Sequence, residues 1–202
     1  MCLLVMTPLS VGCASTKMTK AWVYPEHGPL QYDNVMALVL VQDSLVRRSG
    51  EDEMVRQIRK AKAVASYTVL RDDEMHDEAR VRQAVIDSGV DAIIVMRPVY
   101  DEQEVSYVQG SYPLAYNSFY GYHGWAYPVV YSPGYYRNDR LVGVETNIYD
   151  AGDGKLVWSG LSQTTNPKDT RALVADTAKA VRSAMEKYGF ISWKKRVRQL
   201  FS

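Results

Sequence analysis

The run Asp72-Asp73-Glu74-Met75-His76-Asp77-Glu78 gathers carboxylates and an imidazole, the donor set of a hard or borderline metal ion. It directly precedes a predicted helix, where acidic groups favour the positive helix end, and that solvated role accounts for it. Asp150-Ala151-Gly152-Asp153-Gly154 outlines a calcium loop, but it lacks the alternating acidic positions and the terminal Glu, and its Asp-Gly steps read as a hairpin turn. No Gly-x-Ser-x-Gly elbow is present, and His27, His76 and His123 all fall in predicted loops. The first predicted strand is followed by Gln42-Asp43-Ser44-Leu45-Val46-Arg47-Arg48, without the glycines that cradle a phosphate. No catalytic residue, no metal ligand and no cofactor is therefore expected. The one enzymatic arrangement left open is a hydrolase in which Asp101, Glu102 or Glu104 closes around His123 in a concave site.

The most distinctive chemistry is aromatic. Residues 110–136 hold no Asp, Glu, Lys or Arg but carry Tyr112, Tyr116, Tyr120, Tyr122, Tyr127, Tyr131, Tyr135, Tyr136 and Trp125 among prolines and glycines. Such a stretch has neither helical nor strand period and reads as a long inserted loop. Tyrosine and tryptophan give stiff amphipathic surface suited to a partner protein, a glycan ring or a lipid headgroup zone. Tyr112, Tyr116, Tyr120, Tyr122, Trp125, Tyr127 and Tyr131 are the expected partner-binding residues; the alternative is a loop folded back as a cover over the sheet. Stacking on single-stranded nucleic acid needs interleaved cations, and none occurs in the loop before Arg137.

The elements that hold these residues alternate. Val35-Met36-Ala37-Leu38-Val39-Leu40-Val41 is an apolar run of strand length, expected at the centre of a sheet. A helix is predicted from Ser49–Asp52 onward, with Met54, Val55, Ile58 and Ala61 on one face, followed by a β-rich stretch over 63–70. A second helix is predicted from about Asp77 to Ser88 with Gly89 as its C-cap, and Ala92-Ile93-Ile94-Val95-Met96 repeats the buried-strand pattern. Past Pro98, residues 99–108 extend the third strand as an edge or protruding ribbon. Alternating strands over 141–149 and 156–164 flank the Asp-Gly turn, and a long helix follows over 168–188 with Leu173, Val174, Thr177, Val181, Ala184 and Met185 facing in. The sum is an α/β (α+β) domain over 35–189: one mixed sheet of about five strands with a βαβαβ start, a C-terminal hairpin and three helices.

With 202 residues, 47% hydrophobic and 23% charged, the chain is that of one folded domain with tails. Lys+Arg 24 against Asp+Glu 23 gives a charge of +1, too small an excess for a general nucleic-acid binder. Phe190, Trp193, Val197, Leu200 and Phe201 share a helical face opposite Lys194, Lys195, Arg196 and Arg198 over residues 190–202. A basic amphipathic helix of this kind lies on an anionic membrane or packs on the body.

Residues 1–12 are uncharged and mostly apolar, long enough for a signal-peptide core and too short to span a bilayer. They end in Ser10-Val11-Gly12-Cys13, which resembles the lipobox at which bacterial lipoprotein precursors are cleaved and acylated, with Ser10 where an aliphatic residue is usual. The resemblance implies removal of 1–12, lipidation of Cys13 and a leader over 13–34. Ala14, rather than Asp, then implies an outer-membrane anchor facing the periplasm. Ala65-Ser66-Tyr67-Thr68-Val69-Leu70, Ser88-Gly89-Val90-Asp91-Ala92-Ile93-Ile94-Val95, Val144-Glu145-Thr146-Asn147-Ile148-Tyr149-Asp150 and Gly154-Lys155-Leu156-Val157-Trp158-Ser159 are similar to a group of small Gram-negative envelope lipoproteins. In element order the chain also resembles α/β modules of envelope assembly proteins, such as the amino-terminal domain of the Tol-system propeller protein and curli-secretion lipoproteins. The expectation is a tethered envelope binding or adaptor protein without catalysis; the alternatives are a subunit of an export assembly, which would form a defined oligomer, and the hydrolase above.

Overall fold

A computed structural model of the chain describes residues 15–25, 32–59, 61–108, 118–121, 123–124 and 135–187. Its regular elements are β1 (Ser15–Val23), β2 (Asn34–Val39), α1 (Ser44–Gln57), β3 (Lys62–Ala65), α2 (Glu78–Ser88), β4 (Ala92–Val108), β5 (Tyr135–Asp150), β6 (Leu156–Thr165) and α3 (Thr170–Lys187). Short 3₁₀ turns, Ser66–Thr68 and Asp72–Glu74, lie between β3 and α2. The six strands form one mixed sheet in the order β1-β6-β5-β4-β2-β3, with β2 parallel to β3 and β4, and the other pairs antiparallel.

The βαβαβ start and the hairpin stand as expected, but the sheet has six strands rather than five. The added strand is β1, from the stretch assigned to the leader. Its half-buried positions are Thr16, Met18, Ala21 and Val23, and the three-residue step from Met18 to Ala21 breaks the two-residue period of a strand. A bulge at Thr19 absorbs the extra residue, so both halves of β1 pair with β6 and turn their apolar side chains inward. Lys17 and Lys20 stand on this edge strand and, with the bulge, discourage further strand pairing.

α1 begins at Ser44, five residues earlier than the acidic signal at Ser49–Asp52 implies. Asp43 is the N-cap, its carboxylate accepting from Leu45 N at 2.8 Å and Val46 N at 3.0 Å. The β-rich stretch 63–70 forms a strand only to Ala65 and then coils into the first 3₁₀ turn. α2 matches expectation, with Asp77 as N-cap and Gly89 at φ 60° closing its C-terminus. α1 crosses from β2 to β3 and α2 crosses back past β2 to β4, so right-handed connections put the two helices on opposite faces. α3 packs beside α1 and against β1 and β6.

The core between the sheet and α1/α3 has two connected parts. Ala37, Val39, Met54, Met96, Val142, Val144 and Val174 fill one; Ile148, Val157, Trp158, Val181 and Met185 fill the other, with Met18, Ala21 and Val23 of β1 packed against it. At that second end, Tyr32 donates to Asp150 Oδ2 at 3.2 Å, and the Asp91 carboxylate accepts from Asp33 N at 2.8 Å and Asn34 N at 3.0 Å. Burial and the facing Asp150 push the Tyr32 phenol up to about 12. A raised phenol stabilises the fold fully below its unfolded value near 10, and that stability is lost as pH rises from 10 to 12. Tyr32→Phe is expected to flatten this alkaline loss, read as the midpoint of urea unfolding at a series of pH values; an unchanged slope would detach Tyr32 from the effect.

Candidate functional site

The aromatic insert is carried by a two-stranded ribbon. β4 and β5 stay paired from Ala92↔Asp150 to Val108↔Tyr135, with one bulge between Pro98 and Tyr100. Pro98 lies past the last β2 pair, Val39↔Met96, so its missing N–H breaks no ladder bond with β2. The Tyr100 ring lies over Gly143, where a Cβ would come within 2.1 Å of Cε1, and its hydroxyl reaches Gln163 on β6 at 3.4 Å. Leu141 is paired with Thr165, and Thr165 with Ser15, so Glu102, Leu141, Thr165 and Ser15 form one row across four strands. Past that row β4 and β5 continue alone.

The root of the ribbon is fastened by polar groups. Asn166, at φ 50°, donates its backbone N–H to Arg140 O, and its side chain accepts from Arg140 N and donates to Asp139 Oδ1, each at 2.8 Å. It thereby stands in for the next residue of β6, in a left-handed conformation that Asn tolerates better than most residues. Arg140 Nε donates to Asp101 Oδ1 at 2.7 Å across the strands, and Arg137 pairs with Asp139 at 2.6 Å. The hydrogen bonds from Arg140 hold the Asp101 carboxyl below its usual range. Such a depressed group supports the folded ribbon above its unfolded value and ceases to do so as pH falls through its folded one. Asp101→Asn is expected to speed amide exchange at 103–106 and 137–140, most visibly at neutral pH and less under acid; equal exchange in both proteins would make the pair ornamental.

Above this charged collar the ribbon changes character. From Val105 to Tyr136 the sequence holds no Asp, Glu, Lys or Arg. Val105, Tyr107, Tyr135 and Tyr136 are exposed at 53 to 76%. Tyr107 and Tyr136 are cross-strand partners with ring centroids 5.1 Å apart. Of the expected partner-binding residues, Tyr120 is described: it is 85% exposed, its ring edge-on to Phe119 at 5.5 Å. Tyr112, Tyr116, Tyr122, Trp125, Tyr127 and Tyr131 lie outside the described residues, as do Cys13, residues 1–12, His27 and residues 190–202.

The other chemical candidates separate. Asp72 pairs with Arg47 at 2.6 Å and Arg48 at 3.3 Å, Glu74 with Arg80 at 3.0 Å, and Asp77 caps α2. Asp150 and Asp153 accept backbone N–H groups of their own turn, which Gly154 completes at φ 73°. Asp101 is engaged by Arg140, Glu102 and Glu104 are exposed on the ribbon, and His123 lies 5.9 Å from the Phe119 ring. Two open grooves flank β1, one against α3 beside Lys20, Asp176 and Lys187, and one on the opposite face beside Trp22, Val99 and Leu161. None of Asp101, Glu102, Glu104 and His123 lines either groove.

Sequence reasoning missed a buried ionic network. Glu51 is fully buried and accepts from Arg47 Nε at 3.0 Å, Ser66 Oγ at 2.7 Å, Val39 N at 3.1 Å and Tyr67 N at 2.9 Å. Arg47, 2% exposed, also donates to Ser66 Oγ at 2.8 Å and to Asp72. The signal was the i,i+4 spacing of Arg47 and Glu51 on the face shared by Met54 and Val55. Every polar partner here is satisfied, so the network locks α1 to β2 and the 3₁₀ turns rather than offering a reactive group.

No protein-family model and no curated protein matches the chain. Among solved structures, a single-substitution variant of the PelC dodecamer from Paraburkholderia phytofirmans superposes with TM-score 0.42 at 11% identity, covering 84% of this chain and 96% of that one. The PelC dodecamer in another crystal form gives 0.42 at 10%, covering 83% and 96%. Lipoprotein GNA1162 from Neisseria meningitidis gives 0.40 at 12%, covering 77% and 99%. At this level of superposition no property passes from those proteins to this chain. The likeness to envelope lipoproteins rests on the sequence segments quoted above.

Proposed function

We propose that this chain is a lipid-anchored protein of the bacterial envelope that acts by binding. Cys13 carries the acyl chains, Ala14 directs the anchor to the outer membrane, and the aromatic end of the β4–β5 ribbon with its insert is the contact surface. The observation that carries the reading is the mounting of this surface. Val105, Tyr107, Tyr135 and Tyr136 stand exposed beyond the last row shared with β6, on a ribbon with a polar, ion-paired root whose two strands the uncharged, tyrosine-rich segment joins in sequence. A loop that served only to cover the sheet would need no such support. Acyl chains would hold the domain at the membrane and raise its effective concentration against whatever the ribbon meets there.

The test combines N-terminal mass analysis with crosslinking in intact envelopes. The full-length chain, Cys13→Ser and a chain lacking residues 110–134 are compared, the deletion keeping the Tyr107–Tyr136 pair. The expected result is a diacylated Cys13 in the full-length protein, release of Cys13→Ser from membranes, and loss of the crosslinked species on deletion of the insert. An unmodified Cys13 would overturn the anchor; crosslinks that survive the deletion would overturn the contact surface.

A further inference from the structure

The sheet register places the anchor and the aromatic ribbon at the same end of the molecule. Ser15 lies in the row that contains Thr165, Leu141 and Glu102, and β1 runs away from that row while the ribbon projects past it. Cys13 is two residues before Ser15, and two residues span at most about 7 Å. Six further residue pairs, from Gln103↔Arg140 to Val108↔Tyr135, carry the ribbon about 20 Å beyond the row. If Cys13 is held in a bilayer, this end of the sheet lies against the bilayer surface, and among the described strands the ribbon is the one that projects past the others at that end.

We infer that the partner of the aromatic ribbon is the bilayer itself: Val105, Tyr107, Tyr135 and Tyr136 seat in the headgroup zone of the membrane that holds the Cys13 anchor. This rests on the anchored reading above and names its contact. The chemistry fits the place. Tyrosine is favoured at the membrane–water interface, where its ring meets the acyl boundary and its hydroxyl meets water. The tip has no charge to desolvate, and the nearest charged groups, Arg137, Glu104, Asp139, Arg140, Glu102 and Asp101, form a collar at the level where the headgroups give way to water: Arg137 pairs with Asp139 and Arg140 with Asp101, while the Glu104 and Glu102 side chains are exposed. The insert continues the same uncharged composition in sequence. Two acyl chains on one residue hold the domain at the membrane without fixing its orientation, and a second contact on the same face fixes it. The far end of the sheet has the opposite make-up, its turn carrying Asp150, Asp153 and Lys155.

The experiment uses the full-length protein, acylated in a Gram-negative host and reconstituted into phosphatidylethanolamine–phosphatidylglycerol vesicles. Val105→Cys, Tyr107→Cys and, at the opposite end, Asp153→Cys each carry an environment-sensitive fluorophore, and nitroxide lipids labelled near the headgroup act as quenchers. The expected result is a blue-shifted emission and several-fold stronger quenching at 105 and 107 than at 153. Two ribbon positions guard against one label disturbing the tyrosine pair. Weak and equal quenching at all three sites, in protein that floats with the vesicles and has a diacylated Cys13, would overturn the membrane contact and leave the anchor standing. An unacylated Cys13, seen by mass and by its own labelling, would overturn the anchor and this inference with it.

Discussion

Glu51→Ala is expected to destabilise the domain by about 3–5 kcal/mol, the usual cost of breaking one side of a buried ion pair. Arg47 would then keep its charge at 2% exposure, with Asp72, Ser66 and the Leu70 carbonyl to answer it. Val39 N and Tyr67 N would lose their acceptor as well. For a domain of this size that free energy lowers the melting temperature by on the order of 10 °C. Arg47→Met is expected to cost a similar amount, since it leaves Glu51 buried with neutral donors only. The double substitution Arg47→Met/Glu51→Met should cost much less than the sum, because neither charge is then stranded. Urea unfolding of the four proteins measures the coupling. A single-mutant loss below about 1 kcal/mol would mean that water reaches the pair and that it is worth no more than a surface bridge. The loss bears on function only through the scaffold: β2, which Glu51 holds through Val39, pairs directly with β4, from which the ribbon extends.

What could be read from the sequence follows the range of the forces involved. β2, α2 with its Asp77 and Gly89 caps, the Asp150–Lys155 turn and the buried face of α3 are determined by neighbours within a few residues, and their signals were plain. β1 was hidden because the bulge at Thr19 puts its apolar residues out of step, and only pairing with β6 restores them. The start of α1 was hidden because its inner face carries Arg47 and Glu51, charges whose burial makes sense only once Ser66 and Asp72 are brought to them from elsewhere in the chain. For the site, the uncharged tyrosine segment and a ribbon past Pro98 were legible as composition and extended pattern. That Ser15 and the ribbon share one end was not, because it follows from the register of β1 on β6 and of β6 on β5.

Trp158→Ala is expected to cost about 3–5 kcal/mol, and to loosen β1 before it unfolds the rest. Trp158 is fully buried on β6, and its ring lies across Gly160, where a Cβ would come within 2.3 Å of Cη2 and 2.6 Å of Met18 Cε. Removing the indole takes away the surface against which Met18, Ala21 and Val23 pack, and those are the apolar contacts β1 makes with this part of the core. Trp158→Phe should be far milder than its volume loss suggests. The indole Nε1 is buried without a hydrogen-bond partner among the described residues, so phenylalanine also removes a desolvated donor. Gly160→Ala is expected to cost about 1–3 kcal/mol by overpacking, since the Met18 methyl can swing aside but the wedged indole cannot. Amide exchange at 15–23 separates a loosened strand from a general loss of stability. In Trp158→Ala those amides should exchange much faster than those of β4 and β5 under native conditions, while uniform acceleration would show that β1 and the sheet open as one unit. On the anchored reading the consequence is mechanical. β1 is the segment through which Cys13 holds the domain, so a β1 that peels from Trp158 lengthens the tether and frees the ribbon from its fixed position against the bilayer.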